Sequence, residues 1–350
     1  MKISVVIRAR NEDQHIEKLL LGLAAQTVKA DEIVLVDSGS TDDTVKIARR
    51  YGCKIVEIDR HEFTFGRALN RGCEAATGDI CVFPSAHVFP VYDTWLATLV
   101  APFRDPRVVL SYGRQRGDHV NKFSEHQIFA RWFPRHSVCP QKTYFCNNAN
   151  CAVRKTVWET LPYDEALTGL EDLAWAKAAQ ARGGWLAYVA EAEIVHVHDE
   201  TWDQVQNRYR REAIAMRAID DHAKFSRVDL VGLLARNIAS DAAAALRQGK
   251  LLEVAGSIVK FRYNQLLGTF RGFNDPPDVS AELRARFYYP SGKDTDRLGH
   301  LTEDKHRIDY ETLKAKAQSD PVPGALFSDM PIKLEGTTSS AVVRMTRGDR

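Results

Sequence analysis

The sequence has no CxxC pair among its six cysteines and no apolar run long enough to cross a bilayer. Its most apolar late stretch, residues 228–246, is interrupted by Asp229, Arg236 and Asp241, whereas a membrane-spanning helix needs roughly 20 mainly apolar residues. The chain opens on a strand pattern and not on the apolar core of a secretory signal. We therefore expect reduced thiols, a cytoplasmic protein and no transmembrane helix.

A surplus of either charge is also missing. Lys and Arg number 48 and Asp and Glu 46, a net charge of +2, whereas a general nucleic-acid binder needs a clear basic excess. We expect no nucleic-acid partner. There is no GxGxxG and no Walker lysine loop either, so dinucleotide dehydrogenases and P-loop NTPases are excluded. At 44% hydrophobic and 27% charged residues, the composition is that of a folded globular protein.

The first part of the chain alternates strand and helix patterns. Continuous apolar, largely β-branched runs at residues 3–7, 32–36, 55–58 and 80–83 are typical of strands buried on both faces, and helical spacing lies between them. Repeated βα units joined by short turns require a mostly parallel sheet covered by helices. The fold class is therefore α/β.

The pattern becomes less regular after Pro90. We predict, in order, a helix at 95–103, a strand at 108–112, a long irregular segment at 113–144, a helix at 170–181 and a strand at 194–198. From residue 203 the pattern is helical as far as 272, and a proline-containing polar tail follows. We divide the chain into a catalytic α/β domain (1–220), a C-terminal helical region (221–273) and an irregular tail (274–350).

Polar clusters follow three of the predicted strands. Residues 8–12 come after the first strand, 37–40 after the second and 85–87 after the fourth. Ligands of open parallel sheets bind at the carboxyl ends of the strands, where these clusters would meet. We expect the site there.

Five segments in this order resemble family 2 glycosyltransferases, which have the nucleotide-sugar-binding GT-A fold: VVIRARNE, EIVLVDSGSTDDT, FGRALNRGCEAATGD, CVFPSAH and GLEDLAWA. The resemblance covers residues 2–218. It implies a GT-A domain and the transfer of a sugar from a nucleotide-diphosphate donor to an acceptor hydroxyl with inversion. The product would be a surface polysaccharide or a glycolipid.

The resemblance implies a donor pocket. Asp37 would hold the nucleotide base or ribose, although a turn that caps the next helix explains the same residue. Further donor-binding candidates are Arg8, Arg10, Glu12, Arg67 and Ser85. Surface ion pairs would account for the charged members of this set equally well.

Ser85-Ala86-His87 stands where the family carries the DxD carboxylates that hold a divalent cation. Without them an oxygen-ligand Mg²⁺ site is weakened, and the imidazole of His87 suits Mn²⁺ better. His196 and His198 lie two residues apart on a predicted strand and so face the same side. The resemblance makes His87, His196 and His198 the candidate metal ligands, and core histidines are the alternative for the last two.

Glu171 and Asp172 open a predicted helix where the family places its catalytic base. Asp172 would take the proton from the acceptor hydroxyl, while Glu171 would hold the acceptor or the loop. An acidic residue at a helix start is also an ordinary stabilising feature.

Two basic regions remain ambiguous. Arg208, Arg210 and Arg211 either cover the departing diphosphate or form a solvated face. Apolar stripes beside basic residues in the later helices are typical of a membrane-interfacial helix pair or of a hairpin packed on the catalytic domain.

These observations predict an inverting glycosyltransferase that requires a divalent cation, Mn²⁺ in preference to Mg²⁺. Its partners would be a nucleotide-diphosphate sugar and a glycan or lipid-linked acceptor, with peripheral contact at the inner face of the membrane as an open alternative. A non-catalytic nucleotide-sugar-binding or scaffold module of the same fold is the competing interpretation, because the DxD carboxylates are missing.

Overall fold

An eight-stranded sheet lies at the centre of the computed structural model, which describes residues 1–274 and 306–319. The strands are β1 (Ile3–Ala9), β2 (Glu32–Asp37), β3 (Lys54–Glu57), β4 (Ile80–Pro84), β5 (Val88–Pro90), β6 (Val108–Gly117), β7 (Asn150–Arg154) and β8 (Trp185–His196). Their order across the sheet is β3-β2-β1-β4-β7-β6-β8-β5.

The sheet is mixed, with a parallel majority. β1, β2, β3 and β4 pair in parallel, as do β6 and β8. β7 runs antiparallel to both of its neighbours, and β5 runs antiparallel to β8. As a result the ends of β1, β2, β4 and β8 and the starts of β5 and β7 face one edge. This α/β arrangement is the GT-A fold that the motifs predict.

The helices lie on both faces of the sheet and beyond it. They are α1 (Asp13–Ala24), α2 (Thr44–Arg50), α3 (Phe65–Ala75), α4 (Trp95–Val100), α5 (Phe123–Trp132), α6 (Lys155–Trp158), α7 (Glu171–Ala181), α8 (Trp202–Ile219), α9 (Arg227–Arg247), α10 (Leu251–Asn274) and α11 (Tyr310–Ser319). Within the described ranges, no helix combines the length and the apolar character needed to cross a membrane.

Burial on both faces explains why the early strands are so apolar. Val5 and Ile7 of β1 belong to one hydrophobic cluster, while Val6 between them belongs to the cluster on the other face. Alternate side chains of a strand point to opposite faces, so a doubly covered strand has no polar side. All six cysteines are free thiols, as expected.

The region after Pro90 differs from the prediction. Residues 113–144 were expected to be irregular, but β6 continues to Gly117 and α5 follows. The residues that α5 buries are Ser124, Glu125 and Phe129. Because two of these three are polar, the helix lacks the apolar stripe by which a sequence reveals an amphipathic helix. β8 also begins at Trp185, nine residues before the predicted strand.

Helices α9 and α10 occupy the predicted C-terminal helical region (221–273), and α8, at the end of the preceding domain, packs against α10. Arg262 of α10 makes a buried two-pronged ion pair with Asp241 of α9, at 2.7 and 2.9 Å. α10 also lies very close to α8: a Cβ at Gly268 would stand 2.3 Å from the carbonyl oxygen of Gln206. The three helices are therefore held together both by charge and by close backbone packing.

The tail prediction is wrong where the structure describes the tail. Residues 274–350 were expected to be irregular, yet Tyr310–Ser319 is helix α11, and Leu313 packs against the core cluster that contains α1. The backbone of residues 306–308 pairs with that of residues 91–93. Sequence alone gave no helix here because α11 has little apolar surface of its own. Residues 275–305 and 320–350 lie outside the described residues.

Tyr310 anchors this C-terminal segment. Its hydroxyl donates to the carbonyl oxygen of Pro90 at 2.8 Å, and its ring meets that of Phe89 edge-on at 5.3 Å. A Cβ at Gly22 would lie 2.3 Å from the hydroxyl oxygen, so the close approach to α1 depends on glycine there.

We expect Tyr310→Ala to lower the free energy of unfolding by about 1 to 3 kcal/mol, because it removes ring packing and a hydrogen bond together. Tyr310→Phe should lose only the hydrogen bond, about 1 kcal/mol. Urea denaturation of both variants measures the difference. Equal midpoints for Tyr310→Ala and the native chain would mean that the segment does not anchor there.

Candidate functional site

The functional residues meet at the edge where β1, β4 and β8 end and β5 and β7 begin. Arg8 of β1 bridges to Ser85, directly after β4. Pro84 is paired with Asn150, the first residue of β7, and Val88 at the start of β5 with His196 at the end of β8. Segments that are distant along the chain are thus brought within side-chain reach.

A cavity of about 790 Å³ opens at this edge. Nine of the eleven predicted site residues line it: Arg8, Arg10, Glu12, Ser85, His87, Glu171, Asp172, His196 and His198. Its size is that of pockets that hold cofactor-sized ligands. The polar clusters after the first and fourth predicted strands thus meet at this cavity, whereas only Ser38 of the cluster after the second strand lines it.

Asp172 sits at the start of α7 with its carboxylate buried. Its Oδ2 accepts the backbone N–H of Asn148 at 2.8 Å, and its Oδ1 accepts the N–H of Leu173 at 2.9 Å. The neighbouring Glu171 forms an ion pair with Arg8 at 2.9 Å. One of the two adjacent carboxylates is therefore neutralised and the other is not.

Burial, followed by the charge of Glu171, raises the pKa of Asp172 to about 7. The hydrogen bonds from Asn148 and Leu173 oppose this shift but do not cancel it. A carboxylate with such a pKa can accept a proton near neutral pH and release it again. This is the property required of a general base.

Three histidines form a cluster in the same cavity. His87, His196 and His198 each place a ring nitrogen within 4.8 Å of the others. The rings of His87 and His196 stack at 5.1 Å, and the Nε2 atoms of His196 and His198 are 2.9 Å apart. The side-by-side orientation predicted for His196 and His198 is confirmed.

Partners outside the cavity fix the tautomers of two of these rings. Gln115 donates its amide to Asn147, which leaves its oxygen to accept Nδ1–H of His196 at 2.8 Å. Glu125 accepts Nδ1–H of His198 at 2.7 Å. In the neutral rings, both Nε2 lone pairs then point at each other, an arrangement that a shared proton or a bound cation relieves.

The three clustered ring nitrogens fit a divalent cation that accepts nitrogen ligands. Cis ligands of an octahedral ion lie about 3 Å apart when each bond is about 2.1 Å, close to the separation of the two Nε2 atoms. Burial, then the proximity of His198 and His87, lowers the pKa of His196, which favours the neutral ring that ligation requires. His87, His196 and His198 could hold such an ion.

Glu12 has a different effect on His87. Its carboxylate lies 3.1 Å from Nδ1 of His87. Burial alone would lower the pKa of His87, but the charge and hydrogen bond of Glu12 outweigh burial and the pKa is raised. Glu12 therefore orients the third ring of the cluster.

Two arginines of α8 belong to the cavity, and one of them is held by carboxylates. Arg208 and Arg211 line the cavity, so these two are not part of a solvated face. The Nη2 of Arg208 lies 2.7 Å from a carboxylate oxygen of Glu125 and 2.7 Å from one of Glu200. Helix α8 therefore brings positive charge to the cavity, and the carboxylates of Glu125 and Glu200 fix the position of Arg208.

Two residues that hold the histidine cluster have no signal in the local sequence pattern. Gln115 and Glu125 reach His196 and His198 from β6 and α5, and only the fold brings them there. Asn148 belongs to the polar segment Asn147-Asn148-Ala149-Asn150, which the sequence does show, and lines the cavity beside Asp172. Among the described residues, neither polar atom of its buried side-chain amide has a hydrogen-bond partner.

Asp37 and Arg67 lie outside the cavity lining. Oδ2 of Asp37 accepts the N–H groups of Gly39 and Ser40 at 3.0 Å, which is the turn-forming role considered above. Its buried Oδ1 has no hydrogen-bond partner within the part of the chain that the structure describes. Arg67 instead makes an ion pair with Glu165 at 2.7 Å. The guanidinium of Arg67 is thus engaged by Glu165 and is not part of the cavity lining.

Comparison with known proteins gives consistent results. The sequence model for Glycosyl transferase family 2 matches residues 4–161. The O-antigen chain rhamnosyltransferase RfbN of Salmonella typhimurium is 27% identical over 60% of this chain and 70% of its own. WbaN of Salmonella anatum, another O-antigen chain rhamnosyltransferase, is 29% identical over 53% of this chain and 62% of its own, less than two thirds of that protein's length.

Among solved structures, the mannosyltransferase PcManGT from Pyrobaculum calidifontis, in complex with GDP-Man and Mn²⁺, has a TM-score of 0.54. It is 19% identical, and the match covers 78% of this chain and 87% of that one. At this identity the similarity establishes the fold.

Proposed function

We propose that the chain, whose residues 4–161 match the sequence model for Glycosyl transferase family 2, transfers a sugar from a nucleotide-diphosphate donor to an acceptor hydroxyl, with inversion, in the assembly of a surface polysaccharide or glycolipid. The two related O-antigen chain rhamnosyltransferases support rhamnose as the sugar. They also support a glycan or lipid-linked glycan as the acceptor.

Asp172 is the proposed base. The acceptor oxygen attacks the anomeric carbon as the bond from that carbon to the diphosphate oxygen breaks, and the acceptor proton passes to the carboxylate of Asp172. The observation that carries the proposal is this buried carboxylate with a pKa of about 7, beside a cavity that holds cationic side chains. Glu171 keeps Arg8 in place through their ion pair.

The leaving diphosphate needs positive charge. Arg8, Arg208 and Arg211 line the cavity and can donate to phosphate oxygens. A divalent cation held by the three histidines would neutralise the developing charge when bound. Imidazole ligands favour Mn²⁺ over Mg²⁺, in line with the Mn²⁺ complex of the mannosyltransferase of similar fold.

A non-catalytic nucleotide-sugar-binding module is the competing function. Incubation of the purified chain with a panel of nucleotide-diphosphate sugars, beginning with those of rhamnose, separates the two. An enzyme releases the nucleoside diphosphate and glycosylates an acceptor, whereas a binding module shows affinity without turnover. Binding without turnover across the panel, with cation and acceptor present, would contradict the proposal.

Asp37 lies outside the cavity lining but directly before Ser38, which lines it, and tests whether the donor site extends to the turn after β2. We expect Asp37→Ala to weaken nucleotide binding by about 1 to 3 kcal/mol, because its free Oδ1 can accept a hydrogen bond from the base or ribose. Calorimetry measures this. Ser40→Ala, in the same turn, is the control, and an unchanged dissociation constant in folded Asp37→Ala would remove Asp37 from the donor site.

A further inference from the structure

The C-terminal helices carry most of the large apolar residues that the described part of the chain exposes. Of nine such residues, six belong to α9 and α10: Val228, Val231, Leu246, Leu252, Val259 and Tyr263. We call these six the hairpin face. Leu252 is 99% exposed and Val228 81%, so both side chains lie almost wholly on the surface.

The hairpin face is ordered along each helix. With about 100° of rotation per residue, Val228, Val231 and Leu246 project from α9 within about 60° of one direction. On α10 the same holds for Leu252, Val259 and Tyr263. Each helix therefore presents one continuous apolar stripe outward, while its opposite side packs on the rest of the helical region.

Basic residues accompany the stripes. Between residues 227 and 274 the exposed ionisable residues comprise six basic and two acidic ones, a net +4: Arg227, Arg236, Arg247, Lys250, Lys260 and Arg271 against Asp229 and Glu253. The whole chain carries only +2. Positive charge is thus concentrated where the apolar surface is exposed.

We propose that the hairpin face binds the surface of an anionic lipid bilayer. Apolar side chains on a helix that lies flat enter the boundary between headgroups and acyl chains, and flanking Lys and Arg attract anionic headgroups. Charge complementarity favours this occupant over a neutral apolar partner. The buried ion pair between Asp241 and Arg262 keeps the two helices together as one docking unit. This binding is separate from the proposed function, because it needs neither donor nor cation.

Co-sedimentation with lipid vesicles tests the proposal on the full chain, without nucleotide or metal. We expect binding to phosphatidylcholine vesicles that contain phosphatidylglycerol, weakening as salt is raised, and much less binding to phosphatidylcholine alone. Equal sedimentation with and without vesicles would overturn the proposal.

Two sets of variants assign the contact. Val231→Asp combined with Leu252→Asp should weaken vesicle binding by about tenfold or more, whereas Val138→Asp, at an exposed valine elsewhere, should not change it. Arg236→Glu combined with Lys260→Glu should reduce binding to anionic vesicles specifically. Sugar transfer to a water-soluble acceptor should be the same in all of these variants, so failure of the proposed function is seen separately.

Other occupants of the face give different results. If a second copy of the chain covers it, sedimentation velocity shows a dimer that Val231→Asp with Leu252→Asp dissociates. If residues 275–305 cover it, the same variant melts at a lower temperature. Either result without vesicle binding would overturn the proposal.

Discussion

Asp172→Asn is expected to slow sugar transfer by about 10²- to 10⁴-fold while donor affinity stays close to that of the native chain. The amide keeps the size of the side chain and can still accept the N–H of Asn148, which lies 2.8 Å from Oδ2. It cannot take up a proton from the acceptor. The effect therefore falls on turnover and not on donor binding, which kinetics and calorimetry measure separately.

The pH dependence gives a second readout for Asp172. With a pKa of about 7, the native base is protonated in acid, so the transfer rate should fall as the pH drops through 7. Folding raises this pKa above the unfolded value, so ionisation of Asp172 opposes folding increasingly from about pH 4 to 7. Asn does not ionise. The difference in melting temperature, Asp172→Asn minus native, should therefore increase between pH 4 and 8.

Asp164→Asn is the matched control for Asp172, because it makes the same change on an exposed carboxylate of the preceding loop. It should leave turnover intact. If Asp172→Asn instead melts well below the native protein at every pH and still transfers sugar, Asp172 is a helix-stabilising acid. The search for the base would then move to Glu171.

His196→Ala is expected to weaken Mn²⁺ binding by about 100-fold or more and to lower transfer accordingly. Loss of a group that only orients a ligand already costs about 10- to 100-fold in affinity, and His196 would itself be a ligand. Electron paramagnetic resonance of free Mn²⁺ measures the affinity without the reaction. We also expect excess chelator to stop transfer and Mn²⁺ to restore it better than Mg²⁺.

His15→Ala is the control for the cation site, because His15 lines the same cavity and is not one of the three clustered histidines. It should bind Mn²⁺ as the native chain does. Full activity in chelator would exclude the cation role, leaving His87 as a hydrogen-bond donor to phosphate and the arginines to neutralise the leaving group.

The first strands of the fold were predictable because a strand buried on both faces consists mainly of apolar residues. β1, β2 and β4 are covered on both faces, so each reads as an unbroken apolar run. Helix α5 was missed for the opposite reason: it turns Glu125 inward, where His198 and Arg208 hold the pKa of this carboxylate well below its usual range against the effect of burial. A helix that packs through an ion pair has no hydrophobic period to detect.

The ends of the predicted strands indicated where site residues would meet, whereas the sequence did not reveal which distant residues contact each other. Arg8, Glu12, Ser85 and His87 follow predicted strands, so their convergence could be foreseen. The preference of Arg67 for Glu165 could not, since these residues are 98 positions apart. Gln115 likewise acquires its position from the pairing of β6 with β8, and no local spacing encodes that.

The anchor between Tyr310 and Pro90 joins residues 220 positions apart in the chain. During synthesis at about 5 to 20 residues per second, Pro90 is made roughly 10 to 45 seconds before Tyr310. Throughout that interval the patch around Phe89 and α1 has no helix α11 to cover it. The α/β domain must therefore tolerate an uncovered apolar patch on the ribosome until α11 has been made.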